Sequence, residues 1–108
     1  MKKIELNFAH IRTPEQMHQL LKEEFGFPDF YGANSHALID CLSSLRYPED
    51  RISEITLQQD EILILECRGL AFKKDTFLRE LIAAVSAVNE REVFKGNEPS
   101  LFICPVNR

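Results

Sequence analysis

The chain has 108 residues, 44% of them hydrophobic and 28% charged, which fits one ordinary globular domain over 1–108 rather than a disordered segment. Its formal net charge of −4 speaks against a nucleic-acid-binding surface and suits a partner that is itself basic. No run reaches the length of a membrane span, and Glu5, Asn7 and His10 interrupt any signal core after Met1-Lys2-Lys3.

Residues 3–8 alternate Ile4, Leu6 and Phe8 with Glu5 and Asn7, the pattern of a half-buried first strand. Thr13-Pro14-Glu15-Gln16 then reads as a helix start. Thr13 is placed to cap, Pro14 suits the first helical position, and Gln16 completes a capping box. Met17, Leu20, Leu21 and Phe25 form the inner stripe of this helix, and Gly26 is placed to end it.

The stretch that follows, Phe27-Pro28-Asp29-Phe30-Tyr31-Gly32-Ala33-Asn34-Ser35-His36, is the densest mixture of turn residues, aromatic rings and polar groups in the chain. Gly32 is the residue expected to accept positive φ, and Asn34 or Ser35 the helix cap. Leu38, Cys41, Leu42 and Leu45 recur at helical spacing and predict a second helix ending near Leu45-Arg46. His36, Asp40 and Ser43 fall on another face of it, so they are expected to point outward from a base fixed by packing.

Tyr47-Pro48-Glu49-Asp50-Arg51 reads as a charged turn. In 52–58, Ile55 and Leu57 alternate with polar residues, giving either a short extra edge strand or a loop. Ile62-Leu63-Ile64-Leu65 is an unbroken apolar run, expected of a parallel strand covered on both faces. Asp75 is placed to cap a third helix whose Phe77, Leu81, Val85 and Val88 share a face widened by Leu78 and Ile82. Gly96-Asn97-Glu98-Pro99 is a loop, and Leu101-Phe102-Ile103-Cys104 a last strand stopped by Pro105. The order strand, helix, helix, strand, helix, strand predicts a small α/β domain with parallel strands.

Chemistry-bearing groups are sparse. His36 and Asp40 have the i, i+4 spacing of a chelating pair but lack further ligands, and His10 and His18 stand in separate polar surroundings. Cys41 lies on the apolar stripe, about 140° around the helix from His36, and so reads as core rather than nucleophile. Cys67 and Cys104 sit in strand patterns without a base nearby. All three thiols read as buried and reduced, the usage of a cytoplasmic protein. With no phosphate loop and no serine elbow, no catalytic residue, metal site or cofactor is expected. The remaining acids, Glu49, Asp50, Asp60, Glu61, Glu90 and Glu92, read as solvated.

The run Pro28-Asp29-Phe30-Tyr31-Gly32-x-Asn34-x-x-Ala37-Leu38-x-Asp40-Cys41-Leu42 resembles the barstar family, the intracellular protein inhibitors of barnase-type ribonucleases. The likeness is closest over 13–45. It implies an α/β fold of the barstar type, a three-stranded parallel sheet packed against helices. It also implies that the aromatic loop and the helix after Asn34 enter a ribonuclease active-site cleft. By position, Asp40 is the main acidic anchor, and Asp29, Phe30, Tyr31, Gly32 and Asn34 lie in the contacting loop. His36 and Ser43 complete the partner-facing surface. The chain departs from the family at His36 and Ala33, which stand where acidic residues are usual, and at Phe30, where tyrosine is common. A glutamate from the last helix is also used in the family, with Glu80 the candidate here.

The residue chemistry agrees with that reading. A ribonuclease site concentrates cations for phosphate, and a carboxylate on a rigid helix can occupy the phosphate position through charge-assisted hydrogen bonds. The expected function is therefore a cytoplasmic ribonuclease inhibitor, an antitoxin or immunity protein. Its partner is a basic nuclease, with no direct nucleic-acid or membrane contact, and the free chain is a monomer. The alternative is a barstar-fold binding module, or immunity to a different, non-barnase toxin. A small enzyme using His36 and Asp40 is the third reading, with no nucleophile to support it.

Overall fold

The computed structural model describes residues 1–70 and 77–107. Three strands, β1 (Lys2–Asn7), β2 (Leu63–Arg68) and β3 (Leu101–Val106), pair in parallel in the order β1-β2-β3. Helices α1 (Pro14–Phe25) and α2 (Ser35–Ser43) lie between β1 and β2, and α3 (Leu78–Phe94) precedes β3. Parallel strands need such crossovers, because a tight turn cannot return the chain to the same end of the sheet. The α/β class and the order of elements match the sequence expectation.

The register aligns Ile4 with Leu65 and Ile103, and Leu6 with Cys67. Ile4, Leu6, Leu63, Leu65, Cys67 and Leu101 are buried, so one sheet face enters the core. Helix α1 packs on β1, α3 packs on β3, and α2 lies mainly against α3. The second face is more open than the apolar run of β2 suggests. Ile64 is half-buried, Arg68 is exposed, and Phe102 and Cys104 on β3 are exposed. Glu66 is buried there, with Lys3 Nζ 3.9 Å from its carboxylate. The expectation of a strand covered on both faces, and of Cys104 as a buried thiol, is corrected accordingly; Cys41 and Cys67 are buried.

Helix α1 starts as expected, with Thr13 and Gln16 exchanging capping hydrogen bonds and Pro14 in the first turn. Gly26 ends it in the left-handed conformation at φ 73°. There a Cβ would come within 2.5 Å of the Glu54 side chain, so glycine is required twice over. Helix α2 is shorter than its apolar stripe, stopping at Ser43 although Leu45 and Arg46 beyond it are buried. Phe77 at the N-cap of α3 and Leu81, Val85 and Val88 within it are buried as expected, but Ile82 is 57% exposed and does not widen the stripe. The capping role expected of Asp75 lies outside the described residues.

Residues 52–58 form no strand. The segment is a loop tied to other elements: Glu54 and Ile55 amides and the Ser53 hydroxyl donate to the Phe25 carbonyl, and the Leu57 amide donates to Leu45 at 2.7 Å. Its backbone groups are thus satisfied at a helix end rather than along a sheet edge. Leu57 is buried, and Ile52 and Ile55 pack against the core.

Candidate functional site

Between α1 and α2 the chain turns twice in a few residues. The Tyr31 amide donates to the Pro28 carbonyl at 2.9 Å, closing a turn over Asp29 and Phe30. Positive φ then falls on Ala33, at 51°, and not on Gly32 as the sequence suggests. A non-glycine residue in the left-handed region carries backbone strain, which the neighbouring bonds hold in place. Asn34 supplies much of that restraint. Its Oδ1 accepts from the Ala37 amide at 2.8 Å as the α2 cap, and its Nδ2 donates to the Gly32 carbonyl at 3.4 Å.

The two adjacent rings have opposite fates. Phe30 is 79% exposed. Tyr31 is half-buried, tilted against Phe27 and against the His18 imidazole. Its hydroxyl bonds His18 Nδ1, while His18 Nε2 faces the Glu80 carboxylate at 3.1 Å. Glu80 also accepts from the Ser35 hydroxyl at 3.0 Å. One chain of polar contacts therefore joins α1, the aromatic loop, the first turn of α2 and the first turn of α3. Burial, with Cys41 and Glu80 adding to it, raises the Tyr31 hydroxyl above its ordinary pKa, so Tyr31 stays neutral and able to donate.

His18 does have polar partners, but it is buried, which the sequence expectation did not include. A periodicity signal was present, since His18, Leu21 and Phe25 share α1's inward spacing. Glu80 is drawn into the same network, where it braces the loop.

Asp40, Ser43 and His36 do point away from the α2 core face. Leu38, Cys41 and Leu42 fill the core side, and His36 and Asp40 are exposed. The Asp40 side chain is 71% exposed and pairs with Arg91 of α3 rather than with His36. Arg91 Nη1 donates to Asp40 Oδ1 and to Ser43 Oγ, each at 3.1 Å. Nothing in the sequence pattern flagged Arg91, because the contact joins residues 51 positions apart.

On its other side Asp40 borders a cleft of about 520 Å³ lined by Phe30, Tyr31, Gly32, Ala37, Asp50 and Ile52, among others. Asp50, read from sequence as a solvated turn residue, is exposed but also faces this cleft. Two carboxylates beside an exposed aromatic ring suit a cationic side chain, which gains both ion pairing and a π face. Among the described residues no three His, Cys, Asp or Glu side chains converge in a metal-binding group. The Cys41 thiol is pushed up by burial first and by Asp40 second, the direction opposite to an activated nucleophile.

The expected partner-facing residues Asp29, Phe30, Gly32, His36 and Asp40 are exposed on this side of the chain. Tyr31, Asn34 and Ser43 are held by internal bonds, so they shape the surface as much as they present it.

Comparison with known proteins places the chain in a family context. The family described as Barstar (barnase inhibitor) matches residues 1–74. A Bacillus subtilis (strain 168) protein described as "Putative ribonuclease inhibitor YrdF" is 42% identical over 43 residues, 40% of this chain and 47% of that protein. The match thus spans about half of the relative's length.

Proposed function

The chain belongs to the barstar family, and on that premise we propose that it is a protein inhibitor of a ribonuclease, acting in the cytoplasm by plugging the nuclease active site. The observation that carries this reading is Asp40, a carboxylate standing in solvent on a helix whose other face is locked in the core. Asp40 and Asp50 meet the cations that line a phosphate-binding cleft, and the exposed Phe30 ring seats against its wall. Folding has already fixed the loop through Asn34 and Tyr31, so little conformational freedom remains to be lost on binding. Inhibition comes from occupancy and charge, with no turnover by the inhibitor. An interface on the order of 1,600 Å² in total is expected for such a complex.

The test is inhibition of a barnase-type ribonuclease by the purified chain, beside Asp40→Ala. Stoichiometric inhibition that weakens at least about 100-fold in the variant is expected, the scale for one carboxylate removed from a buried charged contact. Full inhibition by the variant moves the anchor elsewhere. No inhibition by the wild type directs the search to a different toxin. The Arg91–Asp40 pair gives that second reading a specific basis, because a surface with its own cation beside the anchor is less suited to a strongly basic cleft.

A further inference from the structure

Three features converge on Asp40: the cleft on one side, the α3 cation on the other, and solvent above both. The Arg91 guanidinium bonds the carboxylate and the neighbouring Ser43 hydroxyl through the same nitrogen. One turn further along α3, Lys95 Nζ lies 4.5 Å from the centroid of the Tyr47 ring and 3.8 Å from Glu92. Lys95 is thus engaged by Tyr47 and Glu92, and the cation seated on the anchor is Arg91. Arg91 and Asp40 are 48% and 71% exposed, so their pair is solvent-screened and readily exchanged.

Building on the inhibitor reading of this surface, we propose that Arg91 is a specificity-determining residue. It acts as an internal competitor that occupies Asp40 in the free chain and must be displaced by a partner's cation. A cation arriving through the Phe30–Asp50–Ile52 cleft meets the same Asp40 carboxylate and draws it off the Arg91 guanidinium. Once displaced, the guanidinium remains beside the interface and repels a cleft that is uniformly basic. It tolerates one that also offers a hydrogen-bond acceptor. Arg91 thus lowers affinity for generic cationic surfaces and favours partners of mixed charge.

The experiment measures Kd for two immobilised probes, a barnase-type ribonuclease and a short oligo-arginine peptide. The full chain is compared with Arg91→Gln, Arg91→Lys, Asp40→Asn and the Arg91→Gln/Asp40→Asn double variant, at low and high salt. Arg91→Gln is expected to bind the peptide about 5-fold more tightly at low salt, with the gain shrinking as salt screens the charges. The gain should vanish in the double variant, and Arg91→Lys should stay near wild type. A peptide that binds only to Arg91→Gln supports the proposal equally. Equal or weaker binding by Arg91→Gln overturns it, as does absence of peptide binding in every variant. Failure of all forms to bind the nuclease counts against the inhibitor reading alone, because the peptide arm decides the role of Arg91 independently.

Discussion

His18 is buried to 2% exposure, yet both ring nitrogens have partners, one on the Tyr31 hydroxyl and one on the Glu80 carboxylate. A buried polar group is tolerated only on those terms, and removing it strands the groups it served. His18→Ala should therefore cost about 3 kcal/mol, combining a cavity with an orphaned Tyr31 hydroxyl. Urea unfolding measures it, and a loss under about 1 kcal/mol would show that the ring is replaceable by water. The same substitution frees the Tyr31 ring, so near-ultraviolet circular dichroism should change with it. At this scale the sequence was readable for residues whose role is local. The Thr13 box, the Gly26 terminus and the Asn34 cap depend on neighbours within a few positions. Glu80 and Arg91 depend on contacts across the chain that no local pattern encodes, and for His18 helical spacing encodes the burial but not the partners.

At the scale of elements, the hub beneath α3 carries the largest departure from a solvated reading. Glu92 is 2% exposed and ion-paired to Arg46, itself buried, at 3.1 Å. Arg46 also donates to the carbonyls of Glu61, Glu98 and Pro99, tying the end of α2 to the approaches of β2 and β3. Tyr47 and Asn97 donate to the Glu92 carboxylate. Periodicity held the clue, since Val85, Val88 and Glu92 lie three and four residues apart on the buried face. A glutamate there reads as polar only if its residue type outweighs its position. Glu92→Ala leaves a guanidinium buried without its counter-ion, and a loss of about 3 kcal/mol or more in urea unfolding is expected. A near-neutral result would mean that the carbonyl partners alone satisfy Arg46. The loop at 52–58 was ambiguous for a related reason. Its alternation is real, but its hydrogen bonds go to the carbonyls of Phe25, at the end of α1, and Leu45, just after α2, instead of a neighbouring strand.

For the whole molecule, the parallel three-stranded sheet and its helices were legible because element order and hydrophobic period are properties of the chain as a line. The degree of cover on the second sheet face was not, since it depends on which elements reach that side. The fold also sets an alkaline limit. Burial, with Cys104 adding to it, pushes the Cys67 thiol from an ordinary 9.0 up to about 12, and burial raises the Tyr31 hydroxyl from its ordinary 10.0. In both cases the folded state holds a proton that the unfolded chain releases, so the unfolded state binds fewer protons as pH rises. Stability from these groups is fully present below pH 9 and declines as pH climbs through 10 to 12. The decline approaches about 1.4 kcal/mol per pH unit for each such proton. Cys67 sits in the central strand between Leu6 and Pro105, where valine fills a similar volume without a titrating group. Urea unfolding of wild type and Cys67→Val at pH 7, 9, 10 and 11 separates packing from titration. A packing change separates the two curves by the same amount at every pH, whereas titration makes the wild type fall faster above pH 9. Parallel curves throughout would place the alkaline loss elsewhere, with Tyr31→Phe the next variant to carry through the same series.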